Sequence, residues 1–239
     1  MISQEQIIKM ANQYQTTEVN VLREYFQHLF LSYFYQQPLT GDVYFKGGSA
    51  LRLVYSSPRF SEDLDFNTLE GDMKKIEDSV LDTLEEVEHE GIPVAVEESK
   101  QTTGGYLGIF KFTLNKEVVT VQVEISFRKQ QSSGELKTIV NDFIPPYTLI
   151  VLQKEQLVNE KIQALLARGK PRDFYDLYFM LRANLISTEK RKILTDASKL
   201  LKASEINFER ELKQFLPKSH WAIIRNFKTS LETEIKRFI

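Results

Sequence analysis

Cysteine is absent from the 239 residues, and histidine occurs only 3 times. The first absence excludes disulfides and thiolate metal sites. His28, His89 and His220 stand far apart along the chain, so histidine-rich zinc chemistry is not expected. A metal in this protein would be a hard cation held by carboxylates. There is also no excess of either charge, since 31 Lys and Arg face 33 Asp and Glu for a formal net charge of −2. Nothing global therefore advertises nucleic-acid binding, and such a partner would need a local basic patch. No apolar run approaches the roughly 20 residues that cross a bilayer. The opening MISQEQIIKMANQ lacks the basic start and apolar stretch of a secretory signal. The expectation is a soluble, cytoplasmic protein with no membrane partner.

What is present is ordinary globular material, 42% hydrophobic and 27% charged, enough for one large domain or two small ones with a real core. Residues 3–36 read as helical, in two pieces. In the second, Val21, Leu22, Tyr25, Phe26, Leu29, Phe30, Tyr33 and Phe34 recur at helical spacing behind a capping Thr17. Such a stripe is what a buried helix face needs, so its aromatics are expected in the core. A short strand leads into KGGS at 46–49, a short helix follows, and EDLDFNT reads as a strand. An acidic amphipathic helix at 72–91 carries Ile76, Val80, Leu84 and Val87 on one side, with Gly91 as its stop. IPVAVEES, YLGIFKFTL and VVTVQVEISF read as three strands separated by the turn signals TTGG and NKE. The prolines of IPPYT at 144–148 suggest a boundary. Beyond it helices are expected over about 152–169, 171–183, 187–203, 206–216 and 218–238. The fold class is α+β, a mixed β-sheet domain followed by a helical one. Its expected divisions are 1–38 for the N-terminal helices, 39–148 for the sheet and 149–239 for the C-terminal helices.

The chemistry gathers at residues 46–66, KGGSALRLVYSSPRFSEDLDF. Asp63 and Asp65 are one residue apart, so on a strand they leave from the same face with Cα atoms about 6.5–7 Å apart. Two carboxylates so placed can bracket a divalent cation or share a pair of cations. Glu124, a lone acid in the β-rich VQVEISF, is the candidate third ligand, because a charge there is costly unless paired or bound to a metal. Its other reading is an outward strand position sharing a wet face with Gln122. Ahead of the aspartates, Gly47 and Gly48 let backbone N–H groups approach a phosphate, and Ser49 opens a helix and can add a hydroxyl. Lys46 brings a cation to the same turn. Phosphate donors beside metal carboxylates are what nucleotidyl transfer requires, with one or two divalent ions serving the attacking and leaving oxygens.

A second constellation follows in KEQLVNEKIQALLARGKPRDFYDLYFML. Lys154, Lys161 and Arg168 recur every seven residues as a stripe, Lys170 and Arg172 add charge, and Asp173 and Asp176 lie three apart on the next helix. One reading is a solvated basic face with Asp173 as a favourable first-turn acid. The other sets the cations over a triphosphate or an RNA backbone and lets Asp173 or Asp176 assist an acceptor hydroxyl.

FKGGSALRLVY…RFSEDLDF resembles the first motif of AbiEii/AbiGii-type toxin nucleotidyltransferases, of the polymerase-beta-like nucleotidyltransferase superfamily. NEKIQALLARGKPRDFYDLYFML is similar to the later Lys and Arg-Asp-x-x-Asp-Leu motifs of that family. Together the motifs span roughly residues 40–183. The resemblance implies a nucleotidyltransferase-like fold and a toxin with a cognate antitoxin, linked to phage defence by abortive infection. Its MenT relatives transfer nucleotides to tRNA 3′ ends, which implies an NTP substrate, Mg²⁺ as cofactor, and RNA, above all tRNA, as acceptor. By the same resemblance Gly48 and Ser49 hold the nucleotide phosphates and Asp63 and Asp65 bind Mg²⁺. Lys161 contacts the triphosphate, Asp173 or Asp176 fills the late acidic role, and Glu124 stands where members often carry a third acid. Lys46, Gly47 and Arg172 complete the candidate nucleotide-binding set. The competing expectations are a nucleotide- or partner-binding module without turnover, and an enzyme that modifies a protein or small-molecule acceptor.

Overall fold

The computed structural model describes residues 1–128, 132–187 and 191–238. The chain forms two compact units, the first made of Met1–Ser56 and Phe60–Gln153, the second of Ser57–Arg59 and Lys154–Ile239.

The first unit begins with helices α1 (Gln4–Gln13) and α2 (Glu18–Phe34). Ser3 accepts from the Gln6 amide while the Gln6 side chain accepts from the Ser3 amide, and Thr17 accepts from the Asn20 amide. Each cap satisfies an amide that has no partner within the first turn. The aromatic stripe of α2 is core, as its period requires. Phe26 stacks on Phe112 with centroids 5.0 Å apart, Phe30 on Phe110 at 6.5 Å, and Phe34 meets Phe66 at 5.3 Å. Burying a ring of this size contributes on the order of 2–3 kcal/mol.

These rings rest on a mixed sheet of β1 (Val43–Lys46), β2 (Asp63–Thr68), β3 (Val94–Thr102), β4 (Gly105–Leu114), β5 (Glu117–Phe127), β6 (Gly134–Ile139) and β7 (Tyr147–Leu152). Their order among the described residues is β3-β4-β5-β2-β1-β7-β6. β2 runs parallel to β5 and β1 to β7, and the other neighbours are antiparallel. The β4–β5 hairpin turns through Asn115 and Lys116 at φ 51° and 71°, the two left-handed residues of a type I′ turn. Between β1 and β2 lies α3 (Gly47–Leu53), and between β2 and β3 lies α4 (Met73–His89). The latter buries Ile76, Val80, Leu84 and Val87 and leaves most of its acids at the surface.

Sequence periodicity gives no sign of β6 or β7, and the prolines at 145–146 do not end the sheet. β7 follows them directly and pairs with β1 through Phe45 and Val151. Tyr147, Leu149 and Val151 are buried while Thr148 is exposed and Ile150 half-buried, and the run LIVL hides that alternation because it is apolar at both kinds of position.

The second unit contains α5 (Lys154–Arg168), α6 (Pro171–Arg182), α7 (Arg191–Ala203), α8 (Phe208–Leu212), α9 (Trp221–Arg225) and α10 (Phe227–Phe238). Phe174, Tyr175, Phe208 and Phe227 form its aromatic centre, the last two rings 4.8 Å apart. Of the helix expected over 187–203, residues 188–190 lie outside the described residues. The helix expected over 218–238 is interrupted at Asn226, with φ −118° and ψ 37°, a residue type whose side chain competes for backbone hydrogen bonds. Among the described residues no helix is long and apolar enough to cross a membrane.

Candidate active site

β1 ends at Lys46, and Gly47 turns the chain at φ +82°, in the left-handed region that glycine enters without strain. β1 and β2 are antiparallel with Lys46 opposite Asp65, which brings the turn against that aspartate. A Cβ on Gly47 would lie 2.1 Å from Asp65 Oδ2 and 2.8 Å from its Cβ and Cγ. The Asp65 side chain thus occupies the space that any residue other than glycine would claim at position 47.

Along β2, Leu64 and Phe66 are fully buried while Asp63 and Asp65 are half-buried, so the two carboxylates leave from the opposite face. On the parallel neighbour β5, Gln122 is in register with Asp63 and Glu124 with Asp65. Val121, Val123 and Ile125 point into the core. Lys46, Asp65 and Glu124 therefore form one row across three strands, each about 4.8 Å from the next. Glu124 is exposed and accepts from Gln122 Nε2 at 2.5 Å. The wet-face reading of Glu124 and its place beside the Asp pair thus hold together: this face of the sheet is solvated and carries all three acids.

No three of these or other acids and histidines among the described residues are gathered into a metal-holding group. A divalent cation of the Mg²⁺ type is commonly bound through one or two carboxylates plus substrate phosphates and water. Asp63 and Asp65 beside a glycine turn are such a donor set, and they fit it.

Ser49 is fully buried and its hydroxyl donates to the Asp63 carbonyl. In this structure that side chain clamps α3 to the first residue of the acidic strand. Three further contacts hold the approach to Asp63. Gln27 Nε2 donates to the carbonyls of Ser61 and Glu62 at 3.1 and 3.2 Å. The Arg52 guanidinium lies 4.0 Å over the Phe60 ring and also binds Glu24, with Nε to Oε2 at 2.7 Å. Sequence reasoning missed Gln27 and Arg52, because a polar residue inside an aromatic stripe and an arginine on a short helix carry no spacing signal.

The later motif lies in the second unit, where its charges are mutually satisfied. Lys161 Nζ donates to Asp176 Oδ2 at 2.8 Å. Arg59, from the three-residue segment belonging to this unit, grips both oxygens of Asp176, Nε at 2.8 Å and the terminal nitrogen at 3.0 Å. Burial alone would raise the Asp176 pKa, but Arg59 and then Lys161 bring it down to about 2. Burial works against the Arg59 cation too, yet Asp176 raises its pKa. Asp173, also buried, accepts from Arg168 at 2.7 and 2.8 Å and from the Lys170 amide at 3.2 Å, which makes it the first-turn acid of α6. The Arg172 guanidinium lies 5.2 Å from the Phe215 ring centre. The basic stripe is thus largely paired, with Lys154 half-buried beside Glu155 at 3.7 Å.

The most voluminous cleft described, ≈ 620 Å³, is lined by Met10, Tyr25, Tyr33, Glu90, Phe143, Pro145 and others, none of them a candidate site residue. Volume and chemistry part company here. The candidate site remains at the acids, where two same-face carboxylates stand beside the glycine turn.

Comparison with known proteins adds three findings. A family model described as the nucleotidyl transferase AbiEii toxin of type IV toxin–antitoxin systems matches residues 29–234. No curated protein matches. Among solved structures, JHP933 from Helicobacter pylori is similar with a TM-score of 0.65 at 20% identity, over 93% of each chain. A second H. pylori protein, assigned to the nucleotidyltransferases, has a TM-score of 0.61 at 20% identity over 93% of this chain and 95% of its own. At that identity the two structures speak for the fold, and the family model speaks for the kind of enzyme. The chain belongs to the AbiEii toxin family of type IV toxin–antitoxin systems, a family of nucleotidyl transferases.

Proposed function

We propose that this toxin transfers a nucleoside monophosphate from an NTP to the 3′ end of RNA, tRNA above all, using Mg²⁺ held by Asp63 and Asp65. The observation that carries the reading is the seating of the Asp65 side chain against Gly47, with Asp63 on the same strand face. It supports the reading because a glycine turn and two same-face carboxylates stand side by side, as a phosphate and its divalent cation would need. When bound, Mg²⁺ supplies charge neutralisation at the transferred phosphate and at the departing pyrophosphate. The rest belongs to the chain. Gly47 and Gly48 offer amides to the phosphates, since the first amides of a helix have no acceptor within it. Lys161 retains two N–H donors beyond the one given to Asp176, which suits a triphosphate oxygen. Glu124, in register with Asp65, is the third acid. The acceptor oxygen bonds to the α-phosphorus as the bond to the β-phosphate oxygen breaks, and the carboxylates of this face are placed to take the hydroxyl proton. A tRNA extended in this way cannot be aminoacylated, which accounts for toxicity and for the need of an antitoxin.

The test supplies purified protein with Mg²⁺, total tRNA and each α-labelled NTP in turn, beside an Asp65→Asn variant. Label is expected in RNA with the wild type only, and the incorporated label names the nucleotide. Label entering protein or a small acceptor instead would overturn the RNA assignment, and equal labelling by Asp65→Asn would overturn the site.

A further inference from the structure

The segment between the glycine turn and the acidic strand has an unusual path. The chain leaves the sheet unit after Ser56, contributes Ser57, Pro58 and Arg59 to the helical unit, and rejoins the sheet unit at Phe60. Arg59 is only 3% exposed, and both oxygens of Asp176 hold its guanidinium. Ser57 is buried as well, with its hydroxyl accepting from the Arg59 amide at 3.4 Å. Asp176 is in turn fixed by Lys161.

From Arg59 onward every residue up to the first aspartate is engaged. Phe60 lies under Arg52, Gln27 holds the carbonyls of Ser61 and Glu62, and Ser49 holds the carbonyl of Asp63. Arg59 and Asp63 are four positions apart, at most about 14 Å of extended chain. A segment so short and so fully pinned has no slack in which a displacement at one end could be lost. A planar fork held at two points also fixes orientation, which a single ammonium contact does not.

We propose that Arg59 is a positioning residue for the metal-binding strand. Its two-point grip on Asp176 fixes the 57–63 segment, and through it the direction in which Asp63 and Asp65 present their carboxylates. Asp176 then serves the reaction through Arg59 as well as through Lys161. The inference rests on the assignment of Asp63 and Asp65 as cation ligands. Groups that orient metal ligands typically change affinity by about 10- to 100-fold when removed.

Mn²⁺ titration followed by the EPR signal of the free ion reads the site without turnover. The proteins are wild type, Asp63→Asn, Arg59→Met and Arg59→Lys, each first shown to be folded by circular dichroism at the temperature used. Arg59→Met is expected to weaken the Asp63-dependent binding about 10-fold or more, with Arg59→Lys between it and wild type. A folded Arg59→Met protein with a lower melting temperature but wild-type Mn²⁺ affinity would reduce Arg59 to a structural role and overturn the inference. If Arg59→Met does not fold, Arg59→Lys decides, and wild-type affinity in that variant overturns it equally. Wild-type protein showing no Asp63-dependent binding would instead overturn the cation assignment on which the inference rests.

Discussion

A methyl group at position 47 would have to enter the volume that the Asp65 carboxylate fills, and would do so on a left-handed backbone. Gly47→Ala therefore acts twice. The backbone cost is about 1–2 kcal/mol, and Asp65 must move. Displacing a reacting group by about an ångström can cost roughly 10²-fold in rate. We expect label transfer to RNA to fall by about that factor while the melting temperature drops by only a few degrees. A Gly47→Ala enzyme at the wild-type rate would show that Asp65 need not stand where it does. At this scale the sequence was partly legible. The same-face placement of Asp63 and Asp65 follows from an i, i+2 spacing, and the two glycines announce a tight turn. The contacts that hold the pair were hidden, because Gln27 and Arg59 act from 34 and 117 positions away from their partners. Ser49 carries a contact that its position in the sequence did not announce. The antiparallel return of β2 puts the Asp63 carbonyl within reach of its hydroxyl.

At the scale of elements, legibility followed burial pattern. α2 was plain because a 3.6-residue stripe has one explanation, and β5 because its inward and outward residues alternate. β7 was invisible because LIVL is apolar at its outward as well as its inward positions, although Thr148 is exposed and Ile150 half-buried. Its union with β1 is slender, resting on one registered pair, Phe45 with Val151. Tyr35, which caps α2, reinforces it: the hydroxyl lies 3.0 Å from both the Val43 carbonyl on β1 and the Ile150 carbonyl on β7. One proton shared by two carbonyls makes the ring a brace between two strands that share a single registered pair. Tyr35→Phe keeps the packing and removes the brace. A buried hydrogen bond is worth about 1–1.5 kcal/mol net, so urea unfolding should show a loss of that size with an unchanged slope. Amide exchange at Phe45 and Val151 should quicken with it. No change in either measurement would mean that the strand pairing holds without Tyr35.

For the molecule as a whole, near-zero net charge hides two buried sites that respond to acid in different ranges. In the sheet unit, His28 is buried with Nδ1 2.8 Å from the Tyr147 hydroxyl. Burial first, and the nearby Arg52 cation second, hold its pKa down from 6.5 to about 3. The unfolded chain therefore takes up a proton below pH 6.5 that the folded chain refuses until about pH 3. Stability falls with pH throughout that window, by about 1.4 kcal/mol per unit. In the helical unit, Asp176 is depressed from 3.8 to about 2. Its contribution is intact above pH 3.8 and is lost only as pH falls toward 2. Acidification from pH 7 to pH 5 should then cost about 2 kcal/mol through His28 and nothing through Asp176. His28→Gln, which cannot titrate, should lose about 2 kcal/mol less than wild type over that interval, measured by chemical unfolding at both values. The single tryptophan, Trp221, lies in the helical unit, so its emission follows that unit, while amide exchange at core strand residues such as Val123 and Ile125 gives a sheet signal. If wild type and His28→Gln lose stability equally between pH 7 and pH 5, His28 is not the group that couples the sheet to protons. If the variant alone is flat, and the difference appears in the sheet signal, the buried imidazole beneath the catalytic sheet sets the acid limit of the toxin's fold.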